Sequence, residues 1–123
     1  MKPAQQRLQQ LRQSHCRHTE IALDESAIVE LLAAIPDWQR EGQRIARRFR
    51  FDNYYQTIAF VNAVAWIANG EDHHPELTVT YNSCVVRFDT HSVNGGNGGL
   101  SENDFICAAK IDMLATAPKS PAA

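Results

Sequence analysis

The run Glu71-Asp72-His73-His74-Pro75-Glu76 gathers two imidazoles and three carboxylates within six residues. Histidine is the side chain whose ordinary pKa lies nearest neutrality, so the pair offers proton transfer at physiological pH. Pro75 biases His74 toward extended backbone, and in extended chain neighbouring side chains point to opposite sides. The two imidazoles are therefore poorly placed to chelate one ion. They are suited to a division of labour in which one ring moves a proton and the other positions a ligand. His91 closes a predicted strand that pairs with the strand opened by Glu76, which returns it to the same edge of the sheet. Asp72 and Asp104 are candidate carboxylates to orient these rings, and imidazoles held by carboxylates suit general acid–base work near pH 7. The plainer alternatives are a surface histidine pair, a solvated Glu71 and Asp72, and an Asp104 that only caps a helix.

The elements that must position these groups are readable from periodicity. Asp24 can cap a helix in which Ile28, Leu31, Leu32 and Ile35 recur at helical spacing, with Pro36 ending it. Residues 37–42 read as a short strand and turn. Residues 44–51 alternate, placing Ile45, Arg47, Phe49 and Phe51 against Ala46, Arg48 and Arg50. A second helix spans about 53–68, capped by Asp52 or Asn53, and is apolar nearly all round. Such a helix must be buried on more than one side, and a domain this small has little to cover the second side, so a subunit interface is expected there. Strands at 76–82 and 84–90 form a hairpin around Tyr81-Asn82-Ser83. The glycine-rich stretch 92–99 is expected to be a flexible loop and lacks the strand–loop–Lys pattern of a phosphate cradle. A last helix opens at Ser101, where Ser101 with Asp104 fits a capping box and Leu100 with Phe105 a hydrophobic staple, and Cys107, Ile111 and Leu114 line its buried side. The order predicts an α+β fold, a four-stranded antiparallel sheet with three helices packed on one face.

Length and charge bound the function. The 123 residues suffice for one domain, and the formal charge of −2 gives no global attraction for nucleic acid or an anionic membrane. No apolar run reaches the roughly 20 residues that span a bilayer. Cys16, Cys84 and Cys107 are too widely spaced for a disulfide framework, which favours a reducing, cytoplasmic setting. Residues 1–20 are Gln-rich and basic, and are expected to be a flexible, frayed or partly helical extension. Within it His15, Cys16 and His18 lack a partner cluster at zinc spacing, so no metal site is expected. The domain is placed at 21–117 and a short tail at 118–123, broken by Pro118 and Pro121.

The segments FRFDNYYQTIAFVNAVAWIA, DHHPELTVTYN, TH and LSENDFICAAKID, taken in order and spacing, resemble the pterin-4a-carbinolamine dehydratase family. The resemblance covers about residues 24–115 and is sharpest from Phe49 to Asp112. It implies dehydration of 4a-hydroxytetrahydropterin, the carbinolamine left by an aromatic amino acid hydroxylase, to quinonoid dihydropterin in tetrahydrobiopterin recycling, with no metal or organic cofactor. It also implies a homodimer or homotetramer joined partly through the helix at 53–68. By motif position His73, His91 and Asp104 take catalytic roles, with Asp104 orienting an imidazole, while His74, Asp72 and Pro75 bind the pterin. Two departures stand out. Asn69 occupies a position where the family commonly has Glu, and the loop 92–99 is longer than usual, as a mobile lid or an inert insertion. Two other functions compete: a dimerisation or coactivator module using the apolar helix, as in animal relatives that partner a homeodomain transcription factor, and a pterin-binding relative acting in molybdopterin metabolism.

Overall fold

A computed structural model describes residues 2–115, so the expected tail at 118–123 and the last two positions of the expected domain lie outside the described residues. Asp24 accepts a hydrogen bond from the Ala27 amide at 2.8 Å and opens α2 (Glu25–Ala34). After Pro36 the chain enters β1 (Gln39–Glu41) and turns through Gly42, whose φ of +60° is costly for any residue with a Cβ, into β2 (Arg44–Arg50). Asn53 caps α3 (Tyr54–Glu71) by accepting from the Gln56 amide. The hairpin β3 (Glu76–Thr80) and β4 (Ser83–Phe88) turns through Tyr81 and Asn82, and α4 (Glu102–Ala115) closes the domain. All pairings are antiparallel in the order β1-β2-β4-β3.

Register decides what each face carries. Ile45 opposite Phe88, Phe49 opposite Cys84 and Leu77 opposite Val86 put the apolar set on the helix side. Arg48 and Arg50 point the other way and are exposed. Those inward side chains join Ile28 and Leu31 of α2, Phe60 and Val64 of α3, and Phe105 and Ala108 of α4 in one core. Trp38 packs between Phe49 and Phe88, with ring centroids 6.3 and 6.1 Å away. Arg47 shares the inward face. It lies over the Phe49 ring and donates to the buried carboxylate of Asp112 at 2.8 Å, so its charge is paired where it is buried.

Two expectations change. Among the described residues there are four α-helices rather than three, because Pro3–Gln13 forms a helix, α1, that packs on α2 and α4. Residues 2–20 are partly helical, as one of the expected alternatives had it, but they are docked rather than loose: Leu11 is fully buried and belongs to the core. A helix built largely of Gln and Arg can dock when Leu11, with Leu8 packed one turn before it, finds a pocket made by two other helices, and two leucines are too few to announce a periodic stripe. The helix enclosed on all sides is α4, where every residue from Asn103 to Ala109 is buried. Helix α3 instead buries Thr57, Phe60, Val64 and Ala68 and leaves Tyr55 and Trp66 84% and 81% exposed.

The loop after β4 also has a defined shape. Thr90 and Gly99 exchange backbone hydrogen bonds at its neck, and Val93 is fully buried inside it. A Cβ at Gly99 would lie 2.7 Å from the Asn94 side-chain nitrogen and 3.3 Å from Val93 Cγ2, so a larger residue there would displace the Asn94 side chain.

Docking of α1 through Leu11 sets the first prediction. Leu11→Ala is expected to lower unfolding free energy by about 2–4 kcal/mol in denaturant titration, the cost of emptying a buried leucine site. Ile21→Ala, at a side chain 81% exposed, is expected to change it by less than about 0.5 kcal/mol. Equal effects would mean that α1 does not dock.

Candidate active site

Helix α3 ends because Asp72 adopts the left-handed conformation, with φ 51° and ψ 42°. The His73 amide then donates back to the Ala68 carbonyl at 3.1 Å, a tight stop that throws His73 across the end of the sheet. There its ring stacks on Phe88, nearly parallel and with centroids 5.6 Å apart. Its Nε2 lies 2.6 Å from Oδ1 of Asp104. Backbone, ring face and one ring nitrogen are thus all fixed.

Asp104 has no solvent exposure. Its Oδ2 accepts from the Ser101 amide and from the Thr90 hydroxyl, both at 2.9 Å. The Thr90 hydrogen being spent there, the Ser101 hydroxyl donates to Thr90 Oγ1, at 2.7 Å, and itself accepts from the Asn103 amide. Half of the expected capping box forms, Asp104 accepting from the Ser101 amide while Ser101 Oγ caps Asn103 instead of Asp104, and the same carboxylate also orients His73. An ionised carboxylate in the first turn of a helix is favoured by the helix dipole. Being acceptor-only, it requires the hydrogen of His73 on Nε2, which leaves Nδ1 with its lone pair.

The pocket in front of His73 has a volume of about 420 Å³, ample for a bicyclic ligand. His73, His74, His91 and Asp72 all line it, so the structure brings together the imidazoles that sequence placed at one sheet edge. Asp104 sits behind His73 rather than on the wall, and Pro75 does not line it. His91 is very open, with 90% of its side chain exposed and Asp89 3.8 Å away. Asn69 is exposed and also absent from the lining. No group of three or more His, Cys, Asp or Glu among the described residues could hold a metal ion.

Sequence reasoning missed the other wall. Cys16, Arg17, His18 and Thr19, from the segment expected to be loose, line the pocket together with Glu71, Ser92 and Asn103. Glu71 is not a solvated loop charge. Its Oε1 accepts from the Cys16 amide at 2.7 Å, its Oε2 lies 2.9 Å from His15 Nδ1, and Lys110 stands 3.8 Å off. Burial pushes its carboxyl up, but the Cys16 amide, His15 and Lys110 outweigh that and hold it below the usual glutamate range. The only sequence hint was composition: a carboxylate two residues before His73, and polar groups before Ile21 with no partner in their own segment.

Comparison with known proteins places this geometry. The family profile described as Pterin 4 alpha carbinolamine dehydratase matches residues 21–114. The chain belongs to that family. A Bdellovibrio bacteriovorus protein is 63% identical over 94 residues, covering 76% of this chain and 78% of the relative. One from Nitrosospira multiformis is 52% identical over 99 residues, covering 80% and 84%. Both carry the name "Putative pterin-4-alpha-carbinolamine dehydratase". Among solved structures, a transcriptional coactivator/pterin dehydratase from Brucella melitensis superposes with a TM-score of 0.69 at 33% identity, over 76% of this chain and 98% of its own. A pterin dehydratase-like protein identified as a RuBisCO assembly factor in the alpha-carboxysome gives 0.55 at 26% identity, over 67% and 93%.

The anchoring of the Cys16 segment is expected to depend on pH through Glu71. A carboxylate whose folded pKa is depressed contributes stability that is fully present above its unfolded value, near 4.5, and is lost as pH falls through the lower folded value. Hydrogen exchange at the Cys16 amide, corrected for intrinsic rate, is therefore expected to lose protection below about pH 4 while β4 amides stay protected. Simultaneous loss at both would mean global unfolding instead.

Proposed function

We propose that this protein dehydrates 4a-hydroxytetrahydrobiopterin to the quinonoid dihydropterin, in tetrahydrobiopterin recycling, by histidine acid–base catalysis. Family membership and the names of its relatives support a lyase acting on a pterin carbinolamine. The observation that carries the residue assignment is the 2.6 Å contact between His73 Nε2 and buried Asp104, at the base of a pocket also lined by His74 and His91.

The chemistry needs two proton movements. The bond between C4a and the hydroxyl oxygen breaks, the oxygen leaves as water after taking a proton, and a ring N–H gives up its proton. With Nε2 committed to Asp104, His73 Nδ1 is left with its lone pair and acts as the base. His91, at the open side of the pocket, is the donor for the leaving hydroxyl and exchanges protons readily with water. His74, with Asp72 beside it, holds the pterin ring. Pro75 contributes by fixing the extended backbone that separates His74 from His73. The three cysteines are all free, consistent with chemistry in a reducing cytoplasm.

A partner is also implied. Helix α3 presents Tyr55 and Trp66, more than four fifths exposed, and such large apolar side chains are suited to a second copy of the chain as dimer or tetramer. The Brucella neighbour's description pairs coactivator with dehydratase, which keeps a hetero-partner on the same face as the second reading. Sedimentation of the wild type as an oligomer, shifted toward monomer by Trp66→Glu, is the expected outcome. A wild type that stays monomeric at micromolar concentration would remove the self-association reading.

Catalysis is tested with carbinolamine generated in situ by a hydroxylase. His73→Ala and His91→Ala are each expected to cut kcat by about 10²–10⁴-fold. Asp104→Asn is expected to turn the His73 tautomer over, because its amide would face the Nε2 hydrogen. Imidazole ¹⁵N shifts would report that change. A wild type that does not accelerate carbinolamine decay, with all three variants equal to it, would refute the assignment.

A further inference from the structure

Residues 16–19 run along the mouth of the pocket as a strap, in a part of the chain that precedes the family match. Its tethers follow a pattern. The Cys16 amide goes to Glu71, two positions before His73. The Arg17 amide donates to Asn103 Oδ1 at 3.1 Å and its carbonyl accepts from Asn103 Nδ2 at 2.6 Å, one position before Asp104. The Thr19 carbonyl accepts from the Ser92 hydroxyl, one position after His91. Each tether is thus a chain neighbour of a residue in the proton-handling set. Buried contacts add to them: Cys16 Sγ lies 3.5 Å from Cys107 Sγ, and the hydrogen bond between them together with burial holds the Cys107 thiol well above its usual range. The backbone of the strap is therefore fixed relative to the imidazoles, while the Arg17 side chain is left exposed at the rim with no ion pair among the described residues.

The charges at this mouth say what the rim would recognise. Arg17 is the only residue lining the pocket with a permanent positive charge, and Glu71, Asp72 and Asp89 line it as well. Three carboxylates against one guanidinium disfavour an anion. They suit a neutral group that both accepts and donates hydrogen bonds, which is what a chain of hydroxyls does. A flat pterin ring carries its carbon-6 substituent outside the ring system, so a ring seated on the imidazoles can direct that group toward such a rim.

We propose that the strap is a specificity wall: Arg17 reads a hydroxylated carbon-6 side chain of the pterin, and Ser92 and Asn103 are positioning residues that hold Arg17 in place. This rests on the pterin reading above and adds to it the part of the substrate that selects among pterins. Arg17 touches none of the reacting atoms in this scheme. It discriminates by binding a group remote from them, and the loss of a hydrogen bond to a charged group at the rim sets the size of the effect.

Equilibrium binding separates this inference from the catalytic one. Two unreactive 7,8-dihydropterins serve as probes, one carrying a 1,2-dihydroxypropyl group at carbon 6 and the other a methyl group. Wild type is expected to bind the hydroxylated probe about tenfold more tightly. Arg17→Ala is expected to bring that ratio close to one. Ser92→Ala, which unties Thr19 and leaves the Arg17 side chain itself in place, is expected to lower the ratio in part, with an unchanged melting temperature. Equal affinity of wild type for the two probes, binding of neither, or an Arg17→Ala variant weakened equally toward both, would overturn the proposal. Selective binding without turnover of either carbinolamine would leave it standing and remove the dehydratase assignment; turnover without selectivity would do the reverse.

Discussion

A carboxylate shut away from water must find every partner it needs within the protein, and Asp104 finds them on three separate elements. One oxygen takes the first free amide of α4 and the hydroxyl at the end of β4, and the other takes the imidazole that follows α3. Removing any one partner leaves a buried charge under-satisfied, so the three elements are mutually registered by a single side chain. That constraint sets where β4 stops, where α4 begins and which way His73 faces. It also couples stability to chemistry, because the hydrogen bond that orients the ring belongs to the group that caps the helix. The dead end of the network is as important as its centre: Ser101 donates to Thr90, Thr90 to Asp104, and nothing further is left to compete for His73.

The two ends of the proposed proton path differ in solvation, and the fold explains the difference. His73 is pressed between Phe88 and the pocket and is largely buried, so its position is set by packing and one strong hydrogen bond. His91 lies just beyond Thr90, where the chain has left the sheet and the loop to Gly99 begins, so its ring stands in water. A buried ring hydrogen-bonded to Asp104 keeps one orientation. An exposed ring equilibrates with solvent after every turnover. The proposed dehydration would use both properties, with one group acting on the ring in fixed geometry and the other reset by bulk water.

How far the sequence revealed this depends on whether a feature is local. The caps at Asp24, Asn53 and Ser101, the alternation in β2 and the Tyr81-Asn82 hairpin turn are written in a few adjacent residues, and the structure follows them. The convergence of His73, His74 and His91 followed from strand order, which the hairpin dictates. What escaped was tertiary. Leu11 has no apolar stripe around it, and its burial depends on surfaces offered by α2 and α4. Asp104 could be read either as a cap or as an orienting group, and nothing in one dimension indicates that it is both. The near-uniform apolar character of α3 suggested burial on several sides, yet in the chain alone the enclosed helix is α4, whose Asn103, Lys110 and Asp112 interrupt any clean pattern. Those polar residues are the ones that hold the strap, the end of α1 and Trp38.

The N-terminal segment shows why a polar stretch can be ordered without a core of its own. From Arg12 to Leu23 its backbone is hydrogen-bonded in turn to Lys110, Glu71, Asn103, Ser92 and the Leu100 carbonyl. Each bond is worth little alone, on the order of 1 kcal/mol, and ordering one residue costs a similar amount. The segment stays in place because Leu11 and the Cys16–Cys107 contact supply apolar burial at two points, and the hydrogen bonds then set its register between them. A wall built this way is fixed along its backbone and open in its side chains. The residues at Arg17 and His18 can therefore change without disturbing the fold, while Glu71, Ser92 and Asn103 cannot change without moving the wall. Selection among ligands and the chemistry performed on them consequently sit on different sets of residues, joined at neighbouring positions in the chain.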